Sequence, residues 1–302
     1  MGLNLSGMTT ETRNPRTMQL DQMSPLEIVT VMNEEDARVP LAIAKCLPQI
    51  AQAVTWAAES FEKGGRLFYM GAGTSGRLGV LDAAECPPTF GVPKEMVVGL
   101  IAGGEKAFIE AVEGAEDSRE LAVEDLKAHG LTANDLVVGI AASGRTPYVL
   151  GGLDYAKSVG CHTAAIACNI GSAIGKAAEL AIEVNCGPEV LTGSTRLKSG
   201  TAQKLILNMI STGSMVRTGK AYQNLMVDVQ QTNEKLHTRA ENIVIDATGV
   251  EREKARTAID AAGGSVKTAI TMLLADCDAK EAARRLERAR GHVREAIRLE
   301  VL

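Results

Sequence analysis

The chain reads as an α/β protein: a parallel five-stranded sheet flanked by helices in three layers, followed by a small C-terminal helical bundle. Three observations predict this. Five short apolar runs, at 66–70, 96–101, 136–141, 163–167 and 181–184, alternate with helix-forming segments. Strand–helix alternation with short connections builds right-handed βαβ units and so a parallel sheet. The runs lack polar alternation, as expected of strands covered on both faces. The first and third runs each feed a Gly/Ser/Thr-rich turn that opens a helix.

Residues 1–25 are polar, with Asn14-Pro15 and Ser24-Pro25 as turn signals, and read as an extended arm. Pro25 to Glu35 has a helical pattern, and Asn33-Glu34-Glu35-Asp36 reads as the start of a new helix. Pro40 to Lys63 is expected to be one long amphipathic helix ending at Gly64-Gly65. Helices over 75–85, 106–128 and 147–158 follow the first three strands, and a short one separates the last two. After Pro188 another Ser/Thr/Gly-rich turn, Leu191 to Gly200, opens a helix running to about Thr218. Composition shifts near residue 246. The polar helical stretch 233–248 ends at Gly249, and the tail is broken by Gly263-Gly264 and by Asp276-Cys277-Asp278 into three short helices. The expected domains are therefore 1–245 and 246–302.

A chain of 302 residues can bury a large core. Its net charge of −5 and aromatic content of 3% exclude a general nucleic-acid binder and an aromatic stacking platform. The six cysteines show no CxxC spacing and the four histidines no i, i+4 pair, so no metal site is expected. Scattered cysteines without a signal-type leader read as reduced thiols of a cytoplasmic protein. No run approaches the roughly 20 apolar residues needed to span a bilayer.

The richest stretch runs from Phe68 to Pro87. A strand ends in Gly71-Ala72-Gly73-Thr74-Ser75-Gly76, and a helix carrying Glu85 follows. Backbone N–H groups at such a turn, the helix dipole, and the Thr74 and Ser75 hydroxyls favour an anion. The same glycines could serve a plain turn, or a dinucleotide site. The dinucleotide reading wants an acid at the tip of the next strand, where Ile101-Ala102-Gly103 stands. The second loop carries Ser143, Arg145 and Thr146, which could cap a helix, hold phosphate, or do both. In the third, Ser194 and Thr195 precede Lys198. Lys198 is either a solvated surface charge or the partner of a bound anion, because the dipole opposes a lone cation at a helix start. Glu85 ends its helix where the dipole disfavours a carboxylate, so it is either an ordinary surface acid or a functional one. Glu116, in Glu113-Gly114-Ala115-Glu116-Asp117-Ser118, either favours a helix start or supplies a second carboxylate for acid–base work.

These motifs resemble the sugar-isomerase (SIS) fold and, within it, the N-acetylmuramic acid 6-phosphate etherases. The likeness runs through GAGTSGRLG with DAAECPPTFG, TETRNP at 10–15, the segment 28–39, EGAEDS at 113–118, AASGRTPYV at 141–149 and LTGSTRLKSGTAQK at 191–204, and covers nearly the whole chain. The resemblance implies a metal- and cofactor-independent lyase of bacterial cell-wall sugar recycling that acts as a homodimer on a small sugar phosphate. By this likeness Glu85 is the proton donor to the leaving lactate and Glu116 the C2 base. Thr74, Ser75, Ser143, Thr146, Ser194 and Thr195 would hold the phosphate and the sugar, with Lys198 a further candidate. A sugar-phosphate-sensing regulator on the same fold is the alternative reading, and an aldose–ketose isomerase a third. The polar arm is expected to cross to the partner. A glutamate that protonates a leaving group at neutral pH needs a pKa above its usual value of about 4.3, so Glu85 is expected to be partly desolvated.

Overall fold

Five strands fall on the five apolar runs: β1 (Leu67–Gly71), β2 (Val97–Ile101), β3 (Leu136–Ala141), β4 (His162–Ala167) and β5 (Leu180–Glu183). The structure is a computed structural model and describes residues 7–110, 112–229 and 234–299. The start of the arm and Asn233 lie outside the described residues. All pairings in this sheet are parallel, in the order β2-β1-β3-β4-β5. The chain adds β2 on one side of β1 and then returns to add β3 on the other. The loops leaving β1 and β3 therefore diverge, and the crevice between them lies at the C-terminal ends of the strands.

The chain forms two compact units, residues 1–84 with 95–211, and residues 85–94 with 212–302. In the first, helices α1 (Pro25–Asp36), α2 (Val39–Ile43) and α3 (Leu47–Glu62) precede the sheet. The others are α4 (Gly73–Phe90), α5 (Lys106–Ile109), α6 (Arg119–Ala128), α7 (Pro147–Val159), α8 (Ala173–Ala177) and α9 (Lys198–Arg217), of which α4 and α9 end in the second unit. Alternate residues of a strand face opposite sides of the sheet. On one face Phe68, Met70 and Val137 pack with Leu126 of α6 and Tyr148, Val149 and Leu153 of α7, all buried. The opposite face carries Tyr69, whose hydroxyl donates to the Leu207 carbonyl of α9 at 3.4 Å. The strands are covered on both sides, which is why they read as unbroken apolar runs.

Two glycines set how closely α4 approaches β1. A Cβ on Gly76 would stand 2.6 Å from the Gly71 carbonyl oxygen, and one on Gly71 would stand 2.9 Å from the Gly76 nitrogen. Helix and strand touch backbone to backbone here, so the turn between them stays tight.

The second unit is helical. It adds α10 (Glu234–Thr248), α11 (Arg252–Ala261), α12 (Val266–Ala275), α13 (Ala279–Arg288) and α14 (Val293–Ala296), with a small antiparallel hairpin of β6 (Ala221–Tyr222) and β7 (Leu225–Met226). Its core includes Tyr222, Val227, Ile243, Val244, Ile259, Ile270, Leu286 and Val293. Besides residues 85–94 this unit takes in the chain from Thr212 onward, upstream of the composition shift near 246, and α10 packs its buried face into its core. No helix of the described residues is long and apolar enough to cross a membrane.

Several elements differ from expectation for identifiable reasons. Residues 33–36 do not start a helix; they complete α1, whose capping box at Ser24 and Glu27 sets its beginning. The helix expected over 40–63 is divided by a 3-10 turn, Ala44–Cys46. Pro48 has no N–H to give the Ala44 carbonyl. The stretch 106–128 is not one helix: α5 ends at Ile109 with Glu110 extended, and α6 begins at Arg119 after a 3-10 turn that follows Gly114, whose φ is +77°. Helix α4 runs through Pro87 and Pro88 to Phe90 instead of stopping at 85. A fourth tail helix, α14, follows a break at Arg290-Gly291, both with positive φ.

Gly76→Ala is expected to lower unfolding stability by about 1–3 kcal/mol through overpacking. Urea unfolding measures this, and an unchanged midpoint would refute the close approach.

Candidate functional site

Three loops gather at the C-terminal ends of the central strands. The first joins β1 to α4 and places Thr74 and Ser75 in the opening turn of that helix, Thr74 half-buried and Ser75 buried. The first amides of a helix have no intrahelical partner, and the dipole favours an anion there. The second loop joins β3 to α7. Ser143 Oγ accepts from the Arg145 N–H at 3.3 Å, and Thr146 precedes Pro147 without capping the helix through its side chain. Asn169, at the end of β4, steadies this loop by donating through Nδ2 to the Ser143 carbonyl at 3.2 Å. The third loop carries Ser194 and Thr195, both half-buried, into α9. A Cβ on Gly200 would lie 3.6 Å from Thr74 Cγ2 and 3.6 Å from the Thr195 oxygen, so the first and third loops adjoin.

Lys198 is committed to a carboxylate of the protein itself. Its Nζ donates to Glu35 Oε2 at 2.5 Å, and both side chains are essentially inaccessible, at 1% and 0%. Asn14 Nδ2 also donates to Glu35 at 3.1 Å, and Arg16 Nη1 does so at 3.0 Å. The ammonium is thus matched by a protein carboxylate, which answers the objection that a cation at a helix start needs an anion. Nor are the first amides of α9 open to a ligand. The buried Glu189 accepts from the backbone N–H groups of Lys198 at 3.0 Å and Ser199 at 2.9 Å. Burial pushes the Glu35 pKa up, but the hydrogen bonds from Lys198 and Arg16 outweigh it and hold the group at about 2.

The arm folds onto its own chain here. The Thr10 N–H donates to Asn169 Oδ1 at 3.3 Å, and Asn14 Nδ2 donates to the Pro188 carbonyl at 3.1 Å. The sequence reading passed over Glu35, Glu189, Asn169 and Gln203. Glu35 was hidden in a run of acids read as a helix start. Gln203 stood inside the motif 191–204 without a role.

The two candidate carboxylates belong to different surroundings. Glu116 is exposed on a 3-10 turn, Ala115–Asp117, whose Ala115 is buried in the core shared with α7. Glu85 belongs to the second unit, near the end of α4, and is exposed. The expected partial desolvation of Glu85 is not met in the single chain.

A doubly wound parallel sheet with hydroxyl-rich loops at its switch point defines a SIS-type α/β protein. The SIS domain family model matches residues 120–212, and that of the glucokinase regulatory protein N-terminal SIS domain matches residues 49–157. Phosphoheptose isomerase from Neisseria gonorrhoeae shares the fold, with a TM-score of 0.50 at 18% identity over 63% of this chain and 98% of that one. Nearer relatives narrow the class. The chain is 63% identical over 293 residues to the N-acetylmuramic acid 6-phosphate etherase of an Exiguobacterium species, covering 97% of this chain and all of that one. It is 61% identical to the enzyme of the same name from Pectobacterium atrosepticum, over 98% of this chain and 97% of that one. This chain belongs to the N-acetylmuramic acid 6-phosphate etherase family.

Lys198→Met should cost about 1–3 kcal/mol, because it removes the buried cation from Glu35 Oε2 and leaves Arg16 and Arg38 on the other oxygen; chemical denaturation measures the loss, and a change near zero would contradict the pairing. Glu35 also sets a pH dependence. Its folded pKa of about 2 lies below the ordinary 4.5, so the unfolded chain binds the extra proton. Its stabilising contribution is full above 4.5 and declines as pH falls toward 2. In Glu35→Gln this part of the acid dependence should vanish from unfolding curves; an unaltered slope would count against it.

Proposed function

We propose that this chain cleaves the D-lactyl ether of N-acetylmuramic acid 6-phosphate, giving N-acetylglucosamine 6-phosphate and D-lactate. The observation that carries this reading is the identity of 61–63% with etherases along nearly the whole chain. The hydroxyl-lined loops described above are consistent with it. The 6-phosphate rests on the opening turn of α4, with Thr74 and Ser75 donating to it. Ser143, Thr146, Ser194 and Thr195 complete the grip and orient the sugar. Lys198 contributes by fixing the third loop rather than by touching phosphate.

The chemistry is an elimination followed by an addition. Ring opening turns C1 into an aldehyde, which makes the C2 proton acidic. Glu116 removes that proton, and the electron pair forms the C2–C3 double bond as the C3–oxygen bond breaks. Glu85 gives a proton to the departing lactate oxygen. Water then adds at C3 while C2 is reprotonated, so the sum is one water consumed. No atom undergoes net oxidation, so the reaction calls for no redox cofactor.

Both carboxylates are exposed in the single chain, whereas a proton donor at neutral pH must be desolvated. Bound sugar and a second copy of the chain supply that cover in a homodimer whose site lies near the subunit interface. A sugar-phosphate sensor would need only the loops, and it leaves Glu85 and Glu116 without a task.

The test is D-lactate release from N-acetylmuramic acid 6-phosphate by the purified protein in EDTA. Glu85→Gln and Glu116→Gln should each reduce turnover by about 10²–10⁴-fold while leaving the fold intact. Wild-type turnover in both variants would overturn the mechanism, and tight sugar-phosphate binding without lactate release would favour the sensor.

A further inference from the structure

Ser75 does not face the crevice alone. Its hydroxyl donates to Gln203 Oε1 at 3.0 Å, and both side chains are buried, at 7% and 1% exposure. Gln203 lies one turn beyond Gly200 on α9, so the two share the face of α9 that meets Thr74. The other end of the amide is unusual. Gln203 Nε2 is buried and has no hydrogen-bond partner among the described residues. A buried donor left unmade is costly, and orphaned N–H groups are rarer than under-satisfied carbonyl oxygens.

A serine hydroxyl has one proton. While that proton goes to Gln203 Oε1, Ser75 offers only lone pairs to an anion. Turning the amide over lets Nε2 donate to Ser75 Oγ and frees the proton for the crevice. The turn exchanges an orphaned donor for an orphaned acceptor, the less costly of the two, and readies Ser75 for a charge-assisted bond to an incoming phosphate. We propose that Gln203 is a positioning residue for phosphate binding: with its Nε2 turned to Ser75 Oγ, the amide aims the Ser75 hydroxyl proton at the phosphate. This rests on the reading of the first loop as the phosphate site.

The test is a double-mutant cycle on the full-length protein. It reads KM for N-acetylmuramic acid 6-phosphate and the inhibition constant of inorganic phosphate in wild type, Ser75→Ala, Gln203→Met and the double variant. Ser75→Ala should raise both constants by about 10- to 100-fold. Gln203→Met keeps the side chain's length but removes the donor, and should raise both by about three- to tenfold. In the Ser75→Ala background the second substitution should add less than about twofold, since no hydroxyl remains to be aimed. Equal penalties in both backgrounds, or wild-type constants in Gln203→Met, would show that Gln203 only packs and overturn the proposal. Gln203→Leu is read the same way if the methionine variant does not fold. Wild-type constants in Ser75→Ala would instead refute the phosphate reading of the first loop, an outcome distinct from failure of the Gln203 role alone.

Discussion

The buried carboxylate of Glu35 is the constraint on which the arrangement of the crevice depends. A charge with no access to water is tolerated only when paired and hydrogen-bonded. Glu35 meets that demand by collecting Lys198 from α9 together with Asn14 and Arg16 from the arm. The arm, the end of α1 and the start of α9 are therefore held together by a single group. Glu189 extends the same logic by occupying the leading amides of α9. Protein carboxylates thus take both the Lys198 cation and the leading amides of α9 on that side of the crevice.

That division suits a ligand that must be both held and released. In the proposed site, hydroxyls and backbone amides would recognise phosphate through direction and number of donors. The polar seam between α4 and α9 continues past the loops: Asp82 is buried and accepts from Asn208 Nδ2 at 2.7 Å and Ser211 Oγ at 3.1 Å. Burial raises the pKa of Asp82, and these hydrogen bonds oppose the rise. Helix α4 is thus tied to α9 at Ser75 and again two turns later.

Much of this was legible in the sequence. Unbroken apolar runs such as Leu136–Ala141 read as strands buried on both faces, and the structure places strands there. The long motifs from Thr10 to Lys204 pointed to the family. What stayed hidden depends on long-range partners. Nothing near Lys198 in the chain reveals that a glutamate 163 positions away will meet it. The acids at 33–36 looked like a helix start because local rules place acids there, whereas Glu35 sits at the end of α1 through its tertiary pairing. The burial of Gln203 likewise depends on how α9 lies on α4. Proline signals misled in one place, since Pro87 and Pro88 are absorbed into the last turn of α4 at the loss of two backbone donors.

The most direct test of this account is a crystal structure of the protein with N-acetylglucosamine 6-phosphate bound. The account predicts the phosphate at the opening turn of α4, in hydrogen-bond contact with Ser75 Oγ and Thr74 Oγ1, with Lys198 Nζ still on Glu35. A phosphate seated on Lys198, with Glu35 released, would contradict it.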